Sequence, residues 1–524
     1  AAAHPHTPAY GTLTWAEAAA RVRRVAAGLT ALGIGPGDRV AIFLPNRPDF
    51  LTLLLALAQR GATAILLNTR FRAADLAPLL ARAHPVAIAV ARDFAPVDAA
   101  ALLEGLPPES RASLRCIPAA DDLPPGTLAG LPVYRLRDLH GPDTADLATP
   151  GSEALTFTTS GTTTGPKLVL HRQRSLATHA ATLASRLELA PGAAALIPVP
   201  LCGTFGLTLA LAALAGGAAI HAPERFDAME SDATIRRARI THTLGGDDLL
   251  LRLAEAAGGR PYDSLRFTGF ANFHGGAARL MQASAALNLA ARGVYGSSEA
   301  QALFALQDPH GAHAATGGGT PAHPDAAFAI AEHGDLLLRG PSLFDRYLAD
   351  EPATARARTP DGWFRTGDLA TTQPDGGFAF ATRTGDALRL GGFLVSPEEI
   401  EAFLQSQPGI RAAAVIAEEG RAVACVVPGE GFDADRLMAA CAASLARFKV
   451  PARVVTLDAL PVTDGPNGPK VQRGRLRDLI PLPSREGAGG GGGAGLPIVA
   501  LVPPPQLSPR VVPKARLGRD GGGK

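Results

Sequence analysis

The sequence predicts an α/β protein: a large N-terminal layered α/β domain followed by a smaller, mobile α+β domain. Three observations carry this reading. Apolar runs of strand length alternate with helical segments from the start of the chain, a second and shorter set of such segments begins near residue 385, and glycine and proline runs take over from Ser484 onward. Alternation on that scale means stacked layers with largely parallel sheets.

The elements follow in order. Over residues 14–34, Ala18, Val22, Val25, Leu29 and Leu32 recur at spacings of four and three, which puts them on one helical face. Gly35-Pro36-Gly37-Asp38 then marks a turn. Arg39 to Leu44 reads as a buried strand, Asp49 to Gln59 as an apolar helix and Ala62 to Leu67 as a second strand, so the three form a βαβ unit. Val86–Val90 and Ala194–Pro198 continue the strand pattern, and Leu207–Ala215 is a helix rich in small residues. Past residue 385, strand-like Arg411–Ala417 and Ala422–Val427 alternate with helical Pro397–Gln405 and Ala434–Leu445, a unit of ordinary domain size. The expected organisation is therefore residues 1–384, 385–483 and a disordered tail over 484–524, where runs such as 489–493 and 503–505 cannot bury a core.

Composition narrows the function. The 524 residues are 47% hydrophobic but only 5% aromatic, so the core is aliphatic and alanine-packed. A net charge of +2, from 50 basic and 48 acidic residues, argues against a partner held by charge, such as nucleic acid or a membrane surface. No apolar run is long enough for a membrane span, and no signal-peptide pattern is read. Cys116, Cys202, Cys425 and Cys441 form no Cys-x-x-Cys pair, which suits a reducing, cytoplasmic setting without a structural metal. His310 and His313 fall in a Gly/His/Ala stretch that reads as a loop, not a metal site.

Residues 156–167, Thr-Phe-Thr-Thr-Ser-Gly-Thr-Thr-Thr-Gly-Pro-Lys, carry the chemistry. The segment leaves an apolar strand and offers six hydroxyls (Thr158, Thr159, Ser160, Thr162, Thr163, Thr164), the backbone amides of Gly161 and Gly165, and the Lys167 ammonium. Close backbone approach, many donors and one mobile cation are what a polyphosphate requires. The Gly-x-x-x-x-Gly-Lys-Ser/Thr pattern of the common nucleotide hydrolases is absent.

This loop resembles the Thr-Ser-Gly-Thr-Thr-Gly-x-Pro-Lys-Gly signature of the acyl-adenylate-forming (AMP-binding) superfamily of acyl-CoA synthetases, adenylation domains and luciferases. Thr159, Ser160, Gly161, Thr162, Thr163, Pro166 and Lys167 match it, while Thr164 and Leu168 stand where that family has glycine. Further motifs similar to the family's follow in its order: Tyr295-Gly296-Ser297-Ser298-Glu299, Gly362-Trp363-Phe364-Arg365-Thr366-Gly367-Asp368-Leu369, Arg383 to Glu401, Leu445 to Pro451, and Asn467 to Arg477. The resemblance covers roughly residues 10–480, and by comparison with the family a short N-terminal stretch is expected to precede Ala1.

The resemblance implies a two-step reaction. A carboxylate attacks the α-phosphate of ATP to give acyl-AMP and pyrophosphate, and a thiol, that of CoA, then displaces AMP. It implies that Lys470 is the main catalytic cation, with Lys449 as the nearby alternative, and that Ser298 and Glu299 act beside it, Glu299 holding Mg2+. Thr159, Ser160, Gly161, Thr162, Thr163 and Lys167 would hold the phosphates, Tyr295 and Gly296 the adenine, Asp368 the ribose hydroxyls, and Arg383 ribose or phosphate. Gly391 and Gly392 fall in the segment that resembles CoA ligases. Gly203, Phe205, Gly269, Phe270 and Ala271 would line the acyl pocket. Either Gly269 or Gly275-Gly276 matches the family's glycine pair.

Departures matter too. Gly203 stands where the family often has histidine, which opens space at the acyl and pantetheine junction. Pro469 is inserted between Gly468 and Lys470, and Gly385 occupies the hinge position after Arg383, where glycine suits a large backbone rotation. The pocket residues are small or apolar, with no arginine or lysine among them, so the expected substrate is an aliphatic or aromatic monocarboxylic acid. The competing readings are a ligase that loads an acyl-carrier protein, though no Asp-Ser-Leu attachment motif occurs in the C-terminal region, and a non-catalytic nucleotide-binding homologue. The sequence leaves a homodimer open.

Overall fold

The computed structural model describes residues 12–92, 98–120, 122–142, 144–159, 167–273, 275–384, 388–390, 393–395, 397–418, 420–445, 447–465, 468–480 and 499–500. The first helix, Trp15–Ala31, starts where the sequence places it because Thr14 and Glu17 form a reciprocal capping box. Its buried face runs from Val25 to Leu29. Arg39–Phe43, Pro48–Gln59 and Thr63–Leu66 form the expected βαβ unit, with the two strands parallel and completely buried at their centres.

Two large sheets organise the N-terminal part. A nine-stranded sheet is parallel at its centre and closes with antiparallel Lys167–Arg172 and edge strand Arg346–Tyr347. An eleven-stranded sheet is parallel from Ala219–His221 through Ala291–Ser297. It becomes antiparallel from Gln301–Leu306 onward. The expectation of largely parallel sheets thus holds for the first sheet and half of the second. The remainder is built of hairpins, because short turns such as Gln373–Gly377 replace crossover helices there.

The sheets are locked together through Asn46 and Arg47, just before the Pro48–Gln59 helix. The Arg47 guanidinium is fully buried and pairs with Asp122 and with Glu224 at 3.1 Å. Asn46 donates to the Val199 carbonyl at 2.9 Å and accepts from the Leu201 amide at 2.7 Å. A strand end of one sheet thereby holds the 197–201 segment of the other, on which Gly203 follows.

Beyond residue 385, the hairpin of Ile410–Glu418 and Arg421–Pro428 is joined by parallel Arg453–Thr456. Pro397–Gln405 and Ala434–Ser444 cover it around Ile400, Leu404, Val415, Val426 and Leu437. Glu401 ties this unit together: its carboxylate accepts from the Val415 amide at 2.7 Å and pairs with Arg473 at 2.8 Å. One expectation fails in part. Val499–Ala500, inside the supposed tail, pair in parallel with Val455–Thr456; an open sheet edge offers backbone partners to a short extended segment despite the glycine-rich sequence before it. The rest of the tail lies outside the described residues.

Candidate active site

The phosphate-loop segment 160–166, including Ser160, Gly161, Thr162 and Thr163, lies outside the described residues, but its frame does not. Strand Glu153–Thr159 pairs antiparallel with Lys167–Arg172, with Thr159 opposite Lys167. Thr159 and Lys167 therefore face each other at one end of a buried strand pair.

Lys167 reaches across this edge. Its ammonium sits 4.5 Å from the Tyr347 ring centroid, and the Tyr347 hydroxyl donates to Glu299 Oε1 at 2.8 Å. Glu299 sits in the corner between the Ala291–Ser297 and Gln301–Leu306 strands. That corner is tight: a Cβ on Gly296 would lie 2.4 Å from the Gln301 carbonyl, so only glycine fits. Gln301 and Leu303 adopt positive φ of 63° and 62°, a conformation that costs non-glycine residues of order 1 kcal/mol or more. It is held by the buried Gln301 amide, which donates to Ser175 and Ser342 carbonyls at 3.1 and 3.0 Å.

His171, also on the phosphate hairpin, secures the same corner. Its Nε2–H donates to the Ser298 carbonyl at 2.8 Å, which fixes the tautomer and leaves Nδ1 without a partner. His179 does the same for the Ala302 carbonyl at 2.8 Å. Burial, the dominant cause, pushes both imidazoles down to about 4, so they are neutral near pH 7. The sign follows from linkage. Between about pH 6.5 and 4 the unfolded chain binds these two protons and the folded chain does not, so stability falls as pH falls through that window, by about 1.4 kcal/mol per pH unit for each histidine. Denaturant melts from pH 7.5 to 4.5 should show this slope, to which the likewise lowered His221 and His242 add, and His179→Gln should reduce it by about 1.4 kcal/mol per pH unit even if its absolute stability is lower. An unchanged slope in the variant would mean other groups set the acid sensitivity.

Asp368 is the second focus. It is 4% exposed, follows Gly367 in a left-handed turn at φ 73°, and its amide donates to Thr366 Oγ1 at 3.0 Å. Its Oδ2 accepts from the Tyr295 hydroxyl at 2.5 Å, and its Oδ1 lies 3.1 Å from Arg383 Nε, its neighbour across the strand pair. Burial raises the Asp368 pKa, opposed by Arg383 and by Tyr295. Oδ1 is itself buried and accepts no hydrogen bond of good geometry, its charge being met by the Arg383 guanidinium. Tyr295 is more enclosed than its expected adenine role suggests: it is 6% exposed and its ring meets Phe378 edge-on at 5.1 Å. Gly296 beside it is exposed.

On the acyl side, Gly203 caps the Thr204–Gly216 helix at φ −94°, where any residue is allowed, and a Cβ there would approach only the Pro200 carbonyl, at 3.4 Å. Thr204 Oγ1 lies 3.4 Å from Ser298 Oγ, so this helix start abuts the Glu299 corner. Phe205 is buried in the main core. In the Phe267–Ala271 strand, Gly269 and Ala271 share a face with Phe267, and a Cβ on Gly269 would meet the Phe267 ring at 2.8 Å. Phe270 must be withdrawn from the pocket. It points to the opposite face and packs, 1% exposed, in a separate core with Leu250, Leu253 and Tyr262. Arg292, paired with Gly269 in register, lays its guanidinium 5.3 Å over the Phe267 ring.

Gly269 lies within a strand, whereas Gly275, at φ 76°, and Gly276 form the turn into the Ala277–Leu287 helix. Sequence reasoning missed the residue that holds this turn. Asp247, completely buried, accepts from the Phe273 amide at 2.9 Å and the Gly276 amide at 2.6 Å. It missed Tyr347, His171 and Asn46 as well.

Gly391 and Gly392 lie outside the described residues. The Lys470 backbone is in strand Gly468–Val471, opposite Thr463, and its side chain is not among those described. Thus Lys167, Tyr347, Glu299 and Ser298 form one connected group, and Tyr295, Asp368 and Arg383 another. No cluster of three or more His, Cys, Asp or Glu among the described residues could hold a metal alone.

The AMP-binding enzyme model matches residues 1–348, and the AMP-binding enzyme C-terminal domain matches residues 399–464. The chain belongs to the AMP-binding enzyme family. This AMP-binding enzyme is 33% identical to the (7a-methyl-1,5-dioxo-octahydro-1H-inden-4-yl)propanoyl:CoA ligase of Mycobacterium tuberculosis, over 87% of this chain and 91% of that protein. It is 31% identical to a feruloyl-CoA synthase of Amycolatopsis, over 90% of this chain and 96% of that protein. Among solved structures it resembles ATP-bound MatB of Rhodopseudomonas palustris, with a TM-score of 0.77, 25% identity, and 90% of this chain and 94% of that one covered. The large-plus-small architecture is thus that of adenylate-forming enzymes, and no helix among the described residues is long and apolar enough to cross a membrane.

Proposed function

We propose that this AMP-binding enzyme is an AMP-forming acyl-CoA synthetase: it activates an aliphatic or aromatic monocarboxylic acid as acyl-AMP and transfers the acyl group to CoA, in the cytoplasm. The observation that carries the reading is the match of the AMP-binding enzyme model over residues 1–348, after which Asp368 is held between Arg383 and Tyr295. The CoA ligases among its relatives, each matched over most of its length, support the choice of acceptor.

In the first step the carboxylate oxygen bonds to the α-phosphorus and the bond to the β-phosphate oxygen breaks, releasing pyrophosphate. Asp368 holds the ribose and Arg383 adds charge beside it. The segment 159–167 supplies phosphate donors, and Lys470 stabilises charge developing at phosphorus. Glu299 fits a hard cation such as Mg2+: it is a half-buried carboxylate on which Tyr347 engages Oε1, and no described residue donates to Oε2. Bound there beside the nucleotide, Mg2+ would neutralise phosphate charge. In the second step the CoA thiol attacks the acyl carbon and AMP leaves.

ATP–pyrophosphate exchange with a panel of acids, repeated with CoA and thioester detection, tests the reading. Acid-dependent exchange followed by acyl-CoA is expected. Exchange without acyl-CoA would instead favour a carrier-protein acceptor, and no nucleotide binding at all would reject the enzyme reading. Within the panel, Gly203→His is expected to lower kcat/KM for bulky acids about tenfold or more and for small acids little, because an imidazole takes pocket volume. The backbone at Gly203 tolerates a side chain, so its melting temperature should hold. Uniform loss across all acids would reject the pocket role.

A further inference from the structure

We propose that Tyr347 is a positioning residue of the nucleotide site, its ring seating the Lys167 ammonium and its hydroxyl holding the Glu299 carboxylate. The inference rests on the nucleotide reading above and deepens it, by assigning to one side chain the placement of the two opposite charges that the phosphates meet.

The geometry is specific. Lys167 Nζ lies 4.5 Å from the ring centroid, within cation–π range. The hydroxyl, at the far end of the ring, donates to Glu299 Oε1 at 2.8 Å. The phenol itself is immobilised: it is 5% exposed and its ring packs on Phe344 at 4.9 Å. Its backbone is fixed as well. Tyr347 pairs with Val169 two residues after Lys167, its amide donates to Thr354 Oγ1 at 3.0 Å, and the next amide, Leu348, donates to the Leu168 carbonyl at 2.8 Å. Phe344 completes the link, its amide donating to the Glu299 carbonyl at 2.7 Å.

Tyrosine meets both demands in one side chain. Phenylalanine offers the face without the donor, and serine or threonine the donor without the face. Burial and the neighbouring Glu299 push the Tyr347 hydroxyl far above its ordinary pKa, so it remains a donor at any working pH. The ring face holds the ammonium and the hydroxyl at the ring edge holds the carboxylate, so each charge has its own seat, the cation for the outer phosphates and the carboxylate for a bound metal. AMP, which lacks those phosphates, does not draw on Lys167, so the effect separates by nucleotide.

The test is calorimetric binding of AMP, ATP alone and ATP with Mg2+ to wild type, Tyr347→Phe and Tyr347→Leu. Tyr347→Phe removes one buried oxygen and should melt within a few degrees of wild type. It is expected to bind AMP within about twofold of wild type but ATP with Mg2+ about tenfold or more weakly, the loss of one hydrogen bond to a charged group. Tyr347→Leu, which also frees Lys167, should weaken metal-free ATP too. In a double-mutant cycle, adding Glu299→Gln to Tyr347→Phe should cost far less than the sum of the two changes. Wild-type-like ATP–Mg2+ binding by Tyr347→Phe, equal losses for AMP and ATP, or additive effects in the cycle would each overturn the inference while the nucleotide reading stands. A wild type that binds neither AMP nor ATP would overturn both.

Discussion

Lys470→Ala is expected to slow adenylation about a hundred- to a thousandfold, the usual cost of removing one preorganised charge donor, while thioester formation from supplied acyl-AMP falls far less. The reason is chemical. The first step builds negative charge at phosphorus and needs a cation there, whereas the second displaces AMP from an adenylate already made. The structure adds a supporting frame. Lys470 lies in the hairpin of Val462–Gly465 and Gly468–Val471, and the inserted Pro469 takes its place opposite Asp464 without breaking the pairing. The hairpin's exit is tied down by the Gln472 amide on the Pro461 carbonyl at 2.8 Å and by Arg473 on Glu401. Single-turnover measurement of each half-reaction separates the outcomes, with Lys449→Ala as the control for the neighbouring signature. Equal losses in both half-reactions would remove Lys470 from the adenylation step, and a larger adenylation loss in Lys449→Ala would transfer the role to it.

Asp368→Asn is expected to weaken AMP and ATP binding by about one to two orders of magnitude, since charge-assisted hydrogen bonds are each worth roughly 1.5–3 kcal/mol. The amide keeps the shape and can still accept from Tyr295, so the fold should persist. Asp368→Ala should lose similar affinity and stability as well, because it strands the buried Tyr295 hydroxyl. A ribose role makes a sharper claim. Wild type should discriminate against 2′- or 3′-deoxy-ATP, and Asp368→Asn should lose that discrimination. If the variant weakens ATP and its deoxy analogues by the same factor, Asp368 acts on the fold and not on the ribose. The raised Asp368 pKa adds a direction: nucleotide binding should weaken on acidification at a higher pH than an ordinary aspartate would give, because protonation removes one acceptor site and the charge.

Much of the fold was legible because its signals are local. The helix at Trp15–Ala31 announced itself by apolar spacing and by Thr14 and Glu17 three residues apart. Pro397–Gln405 and the Ile410–Glu418 and Arg421–Pro428 strands were readable from short apolar periods. The antiparallel half of the second sheet was not, since a strand's sequence carries its burial pattern but not the direction of its partner. Phe270 shows the same limit within the site. Its position in an apolar run next to Gly269 suggested the pocket, but alternation along the strand turns its side chain to the other face.

The sequence by itself determined the family and singled out Lys167, Glu299, Asp368 and Arg383 as candidates, because those residues sit in contiguous motifs whose residue types suit phosphate, metal and ribose. Only the tertiary structure decided how they are held. Tyr347 stands 48 residues from Glu299 along the chain and His171 stands 127 from Ser298. Asp247 closes a turn 29 residues away and Asn46 grips the 197–201 segment from the other sheet. Each of these is one polar side chain whose partner is a distant carboxylate or main-chain group. Such bonds form only when sheets and loops come together in the folded chain, and they leave no pattern in the residues on either side.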